Sequence, residues 1–158
     1  MKKSILTLAF VVLGICSAMA QKGSQSVGLH LNYATEVENV GVGAFYRYNI
    51  TNALRVEPSF DYYLEKDNLS EWNANVNFHY LFDIGSDFKL YPVAGLGLTS
   101  WSVDTPAGDA SENKMAVNLG CGAEFPISDK ITLGAELKYQ IISNWNQFVF
   151  GLNASYNF

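Results

Sequence analysis

The sequence predicts an all-β fold, in which eight antiparallel strands follow one another in up-and-down order as a barrel. The first observation is an alternation of apolar and polar residues along most of the chain after residue 26. Successive side chains of a strand point to opposite faces, so a period of two indicates strands. The second observation is that the segments of alternation are separated by connections that are short and long by turns along the chain. The eight uninterrupted segments span residues 27–33, 40–49, 54–64, 72–82, 88–98, 115–125, 131–141 and 148–158.

The first four segments place apolar residues on one parity and polar residues or glycines on the other. They read VGLHLNY, VGVGAFYRYN, LRVEPSFDYYL and WNANVNFHYLF. The third segment contains Pro58, and proline cannot donate a hydrogen bond to a neighbouring strand. We therefore expect a local β-bulge at Pro58.

The last four segments continue the same pattern to the end of the chain. They read FKLYPVAGLGL, MAVNLGCGAEF, ITLGAELKYQI and FVFGLNASYNF. Pro92 in the fifth segment predicts a second bulge for the same reason. Over all eight segments the apolar parity comprises 45 positions, and none of them carries a charged residue.

The connections between the segments alternate in length and composition. Residues 50–53, 83–87 and 126–130 are predicted to be short turns, because they are rich in Asn, Asp, Gly and Ser. The opposite end has the longer connections over residues 34–39, 65–71, 99–114 and 142–147. Residues 99–114 form the longest of them, and we expect only this connection to be large enough for much recognition.

The N-terminus has the layout of a secretory signal peptide. Lys2 and Lys3 precede the apolar run of residues 5–15, and Ala18-Met19-Ala20 is a small-x-small cleavage site. We predict a cleaved signal over residues 1–20 and one barrel domain over residues 21–158. The remaining 8 basic and 15 acidic side chains give a net charge of −7. Nucleic-acid binding is not expected, because phosphate contacts need clustered Lys and Arg.

Alternation alone leaves open which face of the strands is inside. A soluble carrier barrel of the lipocalin type would bury the apolar face, whereas a membrane barrel would turn it towards lipid. Nine of the 13 glycines fall on the polar parity, which suits the crowded lumen of an eight-stranded barrel.

The polar parity also carries four basic and four acidic residues, which can pair in an enclosed, neutral network. This predicted lumen network comprises Arg47, Arg55, Glu57, Asp61, Lys89, Glu124, Glu136 and Lys138. Within it, Arg47 and Arg55 are the expected partners of Glu57 and Asp61.

Aromatic residues favour the membrane interpretation as well. On the apolar parity they concentrate near both ends of the segments, with mostly Val, Leu and Ala between them, as two interfacial girdles would. Those near the long connections are Tyr33, Tyr62 and Trp72, and those near the short turns are Tyr46, Tyr48, Tyr80, Phe82, Phe125, Tyr156 and Phe158. Trp101 and Trp145 lie in the longer connections and are predicted to anchor at the interface, with contact to a partner as the alternative. The sequence therefore predicts a transmembrane β-barrel.

The predicted signal peptide, the eight alternating strands and the terminal Phe158 together resemble the small outer-membrane β-barrel family, of the OmpX and OmpA-barrel type. The resemblance covers residues 21–158. It implies a bacterial outer-membrane protein, expected as a monomer, that contacts outer-membrane lipid and lipopolysaccharide. It also implies that the last strand is similar to the signal read by the outer-membrane assembly machinery. In this chain that strand would present Phe150, Leu152, Ala154, Tyr156 and Phe158.

No catalytic, cofactor or metal site is predicted. The His-x-Ser-Asn string of lipid A deacylases is absent, and His30 and His79 are expected to be hydrogen-bonded lumen side chains. Cys121 with two histidines does not complete the usual four-ligand structural zinc set. The acidic residues of the longer connections are expected to form a solvated rim, with divalent cations bridging to lipopolysaccharide as the alternative. They are Glu36, Glu38, Glu65, Asp67, Glu71, Asp104, Asp109 and Glu112.

Three functions remain open at this point. The favoured one is a non-enzymatic outer-membrane barrel with a side-chain-filled lumen, which serves envelope integrity or surface interaction. The alternatives are a narrow pore for small solutes, which eight strands leave little room for, and the soluble periplasmic carrier barrel.

Overall fold

A computed structural model of the chain describes residues 22–36, 38–66, 69–85, 87–105 and 108–158. The predicted signal peptide, residues 1–20, lies outside the described residues, and its cleavage stays a prediction. In the described part of the chain, no helix is long and apolar enough to span a membrane.

The described residues form one closed antiparallel sheet. Its strands are β1 (Gln25–Ala34), β2 (Asn39–Asn49), β3 (Leu54–Lys66), β4 (Leu69–Tyr80), β5 (Phe82–Ile84), β6 (Phe88–Thr105), β7 (Gly108–Pro126), β8 (Ile131–Ile142) and β9 (Gln147–Asn157). β5 continues β4, because both pair with β6 in the same register. Neighbouring strands pair along the chain, and β1 pairs with β9 to close the circle. The prediction of an eight-stranded up-and-down barrel is confirmed.

The polar parity faces the lumen and the apolar parity faces outward. In β1, for example, Leu29 is 68% exposed, whereas His30 next to it is 4% exposed. β9 shows the same alternation of buried and exposed side chains along its length. A soluble carrier barrel needs its apolar side chains inside, so that alternative is wrong. The outward apolar surface is suited to hydrocarbon, and closure pairs the backbone groups that lipid cannot satisfy.

The longer connections are shorter than predicted. The predicted connection over residues 99–114 is wrong, because β6 and β7 stay paired from Thr99 opposite Lys114 to Thr105 opposite Gly108. The connection over residues 65–71 is also shorter, because β3 and β4 run into it from both sides. The apolar alternation marks only the part of a strand that faces lipid, and a strand can continue beyond it with polar residues on both faces. The β6–β7 hairpin therefore extends past the end of β8.

The two prolines do not form the predicted bulges. Pro58 stays in register with β4 and leaves a gap in the ladder to β2. Pro92 stays in register with β7 and lies opposite the interruption between β4 and β5. The missing donor is thus accommodated by a local gap in the ladder, without an inserted residue. A register shift occurs elsewhere, between Tyr63 and Lys66 at the outer end of β3.

The lumen is filled so closely that glycines are needed where large side chains lie against the wall. A Cβ added at Gly122 would overlap the ring of Tyr91, and one added at Gly43 would overlap the carboxylate of Asp61. This agrees with the interior of an eight-stranded barrel, which side chains fill.

We expect Gly122→Val to destabilise the barrel by about 1–3 kcal/mol, because the added methyl groups would displace Tyr91. Urea unfolding in detergent and the heat-dependent gel mobility of the folded barrel measure this effect. Ala123→Val is the matched control, since the neighbouring side chain points towards lipid. Equal destabilisation by the two variants would contradict a filled lumen.

Candidate functional site

Arg47 lies at the centre of a cluster of charged side chains in the lumen. Its Nε donates to Glu57 Oε2 at 2.6 Å and its Nη2 donates to Glu136 Oε1 at 3.2 Å. Its Nη1 lies 3.5 Å from Glu124 Oε2. The ring of Phe45 packs against the guanidinium, with its centroid 4.3 Å from Cζ. The carboxylates come from β3, β7 and β8, so Arg47 on β2 ties together four strands of the wall.

Arg55 on β3 makes a second link across the barrel. Its Nη1 and Nη2 lie 3.1 and 2.9 Å from the two oxygens of Glu124 on β7, which is the two-pronged geometry that planar guanidinium favours. The same side chain donates to His79 Nδ1 and lies over the ring of Tyr91, 5.0 Å from its centroid. Tyr91 in turn donates its hydroxyl to Glu136 Oε1 at 2.8 Å.

The two lysines of the predicted network lie in different places. Lys138 is buried, and its Nζ lies 3.5 Å from Glu136 Oε2. Lys89 is partly exposed at the mouth of the barrel, where its Nζ lies 3.9 Å from Asp83 Oδ1. Lys89 therefore pairs with Asp83 at the mouth, although its parity directs it inward.

Asp61 is held by His30 and two asparagines, so the expectation of an arginine partner is wrong. Its Oδ1 accepts from His30 Nδ1 at 3.1 Å and from Asn32 Nδ2 at 2.8 Å. Its Oδ2 accepts from Asn75 at 3.4 Å. Asp61 lies four residues beyond Glu57 on β3, which corresponds to about 13 Å along an extended strand. This separation places it outside the cluster around Arg47.

Glu71 is a lumen residue and does not belong to the predicted acidic rim. It is 1% exposed, and its carboxylate accepts from Trp101 Nε1 at 3.0 Å, Asn73 at 3.0 Å and Gln147 at 3.1 Å. The predicted interfacial anchoring of Trp101 is therefore wrong, because its indole is buried inside the barrel. Trp145 packs against it with a centroid distance of 5.8 Å and remains 36% exposed.

These placements change the charge balance of the lumen. Among the charged side chains that the structure describes as buried, three are cationic and five are carboxylates. They are Arg47, Arg55, Lys138, Glu57, Asp61, Glu71, Glu124 and Glu136. With neutral histidines this set has a net charge of −2, whereas the sequence predicted a neutral set.

A chain of amide side chains fills the lumen between the charged cluster and Glu71. Asn118 Nδ2 lies within hydrogen-bond distance of Asn75 and Asn77, at 2.9 and 3.0 Å. Gln140 donates to Asn118 at 3.1 Å, and Gln147 donates to Gln140 at 2.8 Å. The interior is therefore occupied by side chains from the Arg47 cluster to the outer end of the barrel.

The barrel has a polar cavity of about 280 Å³ at the end with the short turns, on the far side of the charged cluster from the amide chain. Arg47, Arg55 and Glu124 bound it, together with polar residues such as Ser26 and Asn157. The charged cluster is thus the inner boundary of a recess that opens at this mouth.

Four buried polar atoms of the cluster have no hydrogen-bond partner among the described residues. They are Nε2 of His30, Nε2 of His79, Oε1 of Glu57 and Oε2 of Glu136. A ring nitrogen of His30 and one oxygen each of Glu57 and Glu136 lie within 4.8 Å of one another, so these three residues can hold a metal ion. Sequence reasoning missed this set, because only the strand register brings positions 30, 57 and 136 together.

A family model for the outer membrane protein beta-barrel domain matches residues 8–158. The chain belongs to this family of outer-membrane β-barrel proteins. It is accordingly a protein of the bacterial outer membrane, as the sequence predicted. No curated protein sequence matches it.

Solved structures of bacterial outer-membrane barrels share its fold. The N-terminal β-barrel domain of OprF from Pseudomonas aeruginosa matches with a TM-score of 0.76 at 17% identity, covering 87% of this chain and 98% of that one. Neisserial surface protein A matches with a TM-score of 0.71 at 17% identity, covering 89% and 100%. Ail, the attachment invasion locus protein of Yersinia pestis, matches with a TM-score of 0.66 at 21% identity, covering 87% and 100%. At these identities the likeness concerns the fold.

β9 carries the residues that the family resemblance assigns to the assembly signal. Phe150, Leu152, Tyr156 and Phe158 are all exposed on the outward face, and Ala154 shares their parity. Phe158 donates its backbone N–H to Gln25 O at 3.0 Å, which holds the chain end against β1. Recognition of this strand by the assembly machinery stays a prediction.

We expect Arg47→Met to destabilise the folded barrel by about 3–5 kcal/mol, because three buried carboxylates would lose their shared cation. Lys89→Met is the matched control, with an expected loss of about 0–1 kcal/mol for a partly exposed pair. Urea unfolding in detergent micelles measures both. A similar loss for the two variants would show that Arg47 does not hold the cluster together.

Proposed function

We propose that this protein is a non-enzymatic outer-membrane barrel whose occluded lumen serves the integrity of the envelope. The observation that carries the proposal is the filled interior, in which Arg47, Tyr91 and His79 are almost completely buried. A barrel that conducts solutes needs a continuous aqueous path, and eight strands enclose only enough space for side chains. The ion pairs that cross this interior favour a rigid wall over a channel.

The placement of the polar side chains supports a role without catalysis. A nucleophile needs a base within hydrogen-bond reach. Of the two lumen histidines, His30 is engaged by Asp61 and His79 by Arg55. Cys121, in the described part of the chain, lies on the lipid-facing side. Neither histidine is hydrogen-bonded to a serine or cysteine among the described residues.

The proposed partners are the surrounding membrane and the machinery that inserts the protein. Exposed Leu, Val and Phe side chains on the outward face suit the acyl chains of outer-membrane lipid and lipopolysaccharide. The outward residues of β9 support recognition by the assembly machinery. We propose a monomer, because the closed sheet leaves no long strand edge within the apolar band for a second chain.

A second candidate, surface interaction, is favoured by the β6–β7 hairpin. Its strands remain paired up to Thr105 and Gly108, well beyond the point where β8 ends. The relative Ail is known as an attachment invasion locus protein and was solved in complex with the heparin analogue sucrose octasulfate. The hairpin of this chain carries Asp104, Asp109 and Glu112, so its charge does not favour a polyanion. A partner of this hairpin would be neutral or basic.

Planar-bilayer recordings test the occluded lumen. We expect the purified barrel to produce no stable, reproducible channels, because the side chains of the Arg47 cluster and the amide chain block the path. A conducting general porin, purified and reconstituted in the same way, is the control for active reconstitution. Reproducible channels from this protein would favour the narrow-pore function instead.

A shortened hairpin separates the two proposed roles. Residues 103–110 are replaced by an Asn-Gly turn, which suits the two-residue connection that Ser102 opposite Ser111 would need. In a strain that lacks the protein, we expect this variant to restore resistance to detergents as fully as the native chain, because the barrel itself is unchanged. Failure to restore it, with a normal level of folded barrel in the membrane, would assign the function to the hairpin.

A further inference from the structure

Of the twelve buried side-chain atoms that lack a hydrogen-bond partner among the described residues, four belong to His30, His79, Glu57 and Glu136. His30 Nε2 lies 3.9 Å from Glu57 Oε1, and His79 Nε2 lies 3.8 Å from the same oxygen. All of these side chains are buried, and Glu57 has no exposed surface. Buried polar atoms are almost always satisfied by a partner, a water molecule or an ion. A cluster of unsatisfied nitrogen and carboxylate atoms is therefore a place where a water molecule or an ion can bind.

The hydrogen bonds of His30 leave its Nε2 available as a ligand. An ionised carboxylate only accepts hydrogen bonds, so His30 Nδ1 donates to Asp61 Oδ1 across their 3.1 Å contact. In the neutral ring the lone pair is then on Nε2, which points towards Glu57. A carboxylate that orients a histidine in this way is the usual second partner of metal-ligating imidazoles. Asp61 is itself held by Asn32 and Asn75.

His79 has the opposite tautomer. Arginine only donates hydrogen bonds, so His79 Nδ1 accepts from Arg55, at 3.3 Å from its Nε. The proton of a neutral His79 is therefore on Nε2, which faces Glu57 as a donor. The two histidines look alike in the sequence, but the structure makes only His30 suitable as a ligand.

Arg47 holds one oxygen of each of the two carboxylates, and Lys138 Nζ lies 3.5 Å from the other oxygen of Glu136. Arg47 binds Oε2 of Glu57 and Oε1 of Glu136, and Tyr91 adds a second bond to the latter. The other oxygens, Glu57 Oε1 and Glu136 Oε2, have no hydrogen-bond partner among the described residues. Arg47 thus fixes both carboxylates without occupying the oxygens that a cation would use.

We propose that the lumen binds one divalent transition-metal ion of the zinc class, ligated by His30 Nε2, Glu57 and Glu136, with Asp61 as the positioning partner of His30. Imidazole together with carboxylates suits Zn²⁺, Co²⁺ and Ni²⁺, whereas Mg²⁺ and Ca²⁺ prefer oxygen alone. A divalent ion also neutralises the net charge of −2 of the buried charged side chains described above.

The distances are compatible with this site after small adjustments. Metal–ligand bonds of about 2.0–2.2 Å place neighbouring ligand atoms about 3.3–3.8 Å apart in tetrahedral or trigonal geometry. The three ligand atoms here lie within 4.8 Å of one another, so side-chain shifts of about 1 Å would bring them to metal-binding distances. Lys138 Nζ, 3.5 Å from Glu136 Oε2, is the competing cation. The polar cavity bounded by Arg47, Arg55 and Glu124 leads from the mouth towards this cluster.

Cobalt binding tests the proposal. The protein, carrying an affinity tag without histidine, is extracted from membranes, unfolded in urea with a chelator, and refolded in detergent with Co²⁺. We expect one bound Co²⁺ per chain with visible d–d absorption, displaced by Zn²⁺ and unaffected by Mg²⁺ or Ca²⁺. Absence of bound Co²⁺ in the refolded native barrel would overturn the proposal and leave water or a proton on His30 as the occupant.

The two histidines provide a matched pair of variants. We expect His30→Gln to weaken Co²⁺ binding by about 100-fold, and Asp61→Asn to weaken it by about 10–100-fold, because the orienting carboxylate is lost. His79→Gln should weaken binding far less than His30→Gln, since its tautomer excludes it as a ligand. Heat-dependent gel mobility confirms folding of each variant. Retained binding in folded His30→Gln, or equal losses in the two histidine variants, would overturn the assignment of the ligands.

Discussion

The structure depends on one constraint, which is that hydrocarbon offers no hydrogen bonds to the peptide backbone. Each unpaired backbone N–H or C=O group in lipid costs several kcal/mol, so a sheet that spans the membrane must close on itself. Pairing of β1 with β9 and of β4 with β6 meets this requirement. Pro58 and Pro92, which lack a donor, interrupt the ladder locally but leave the register and the closure intact.

Closure with eight strands then determines the interior. The enclosed space is narrow, so inward side chains meet across the barrel and must fit one another in size and charge. Gly122 provides room for Tyr91, and Arg47 joins carboxylates from three strands. The same closeness that occludes the lumen also gathers His30, Glu57 and Glu136, so the filled barrel and the proposed metal site arise from one cause.

Much of the fold could be predicted, because the lipid-facing parity excludes charge and therefore marks each strand clearly. The outer part of the β6–β7 hairpin could not be predicted, although its strands continue without a break. Beyond the apolar band both faces of a strand can be polar without an energetic cost, and the large side chain of Trp101 occupies the inward parity there. A period of two in hydropathy thus indicates which residues of a strand contact lipid, but it does not give the full length of the strand.

The sequence alone determined the eight strands within the apolar band and their order, because these follow from local alternation and from the composition of the turns. The glycine, charge and aromatic patterns then indicated the face that each side chain takes there. Only the tertiary structure decided which inward side chains meet. Lys89 and Lys138 share a parity, yet one lies at the mouth and the other in the cluster. His30 and His79 also share a parity, but Asp61 and Arg55 give them opposite tautomers. These differences come from the register between strands far apart in the chain, which no local pattern encodes.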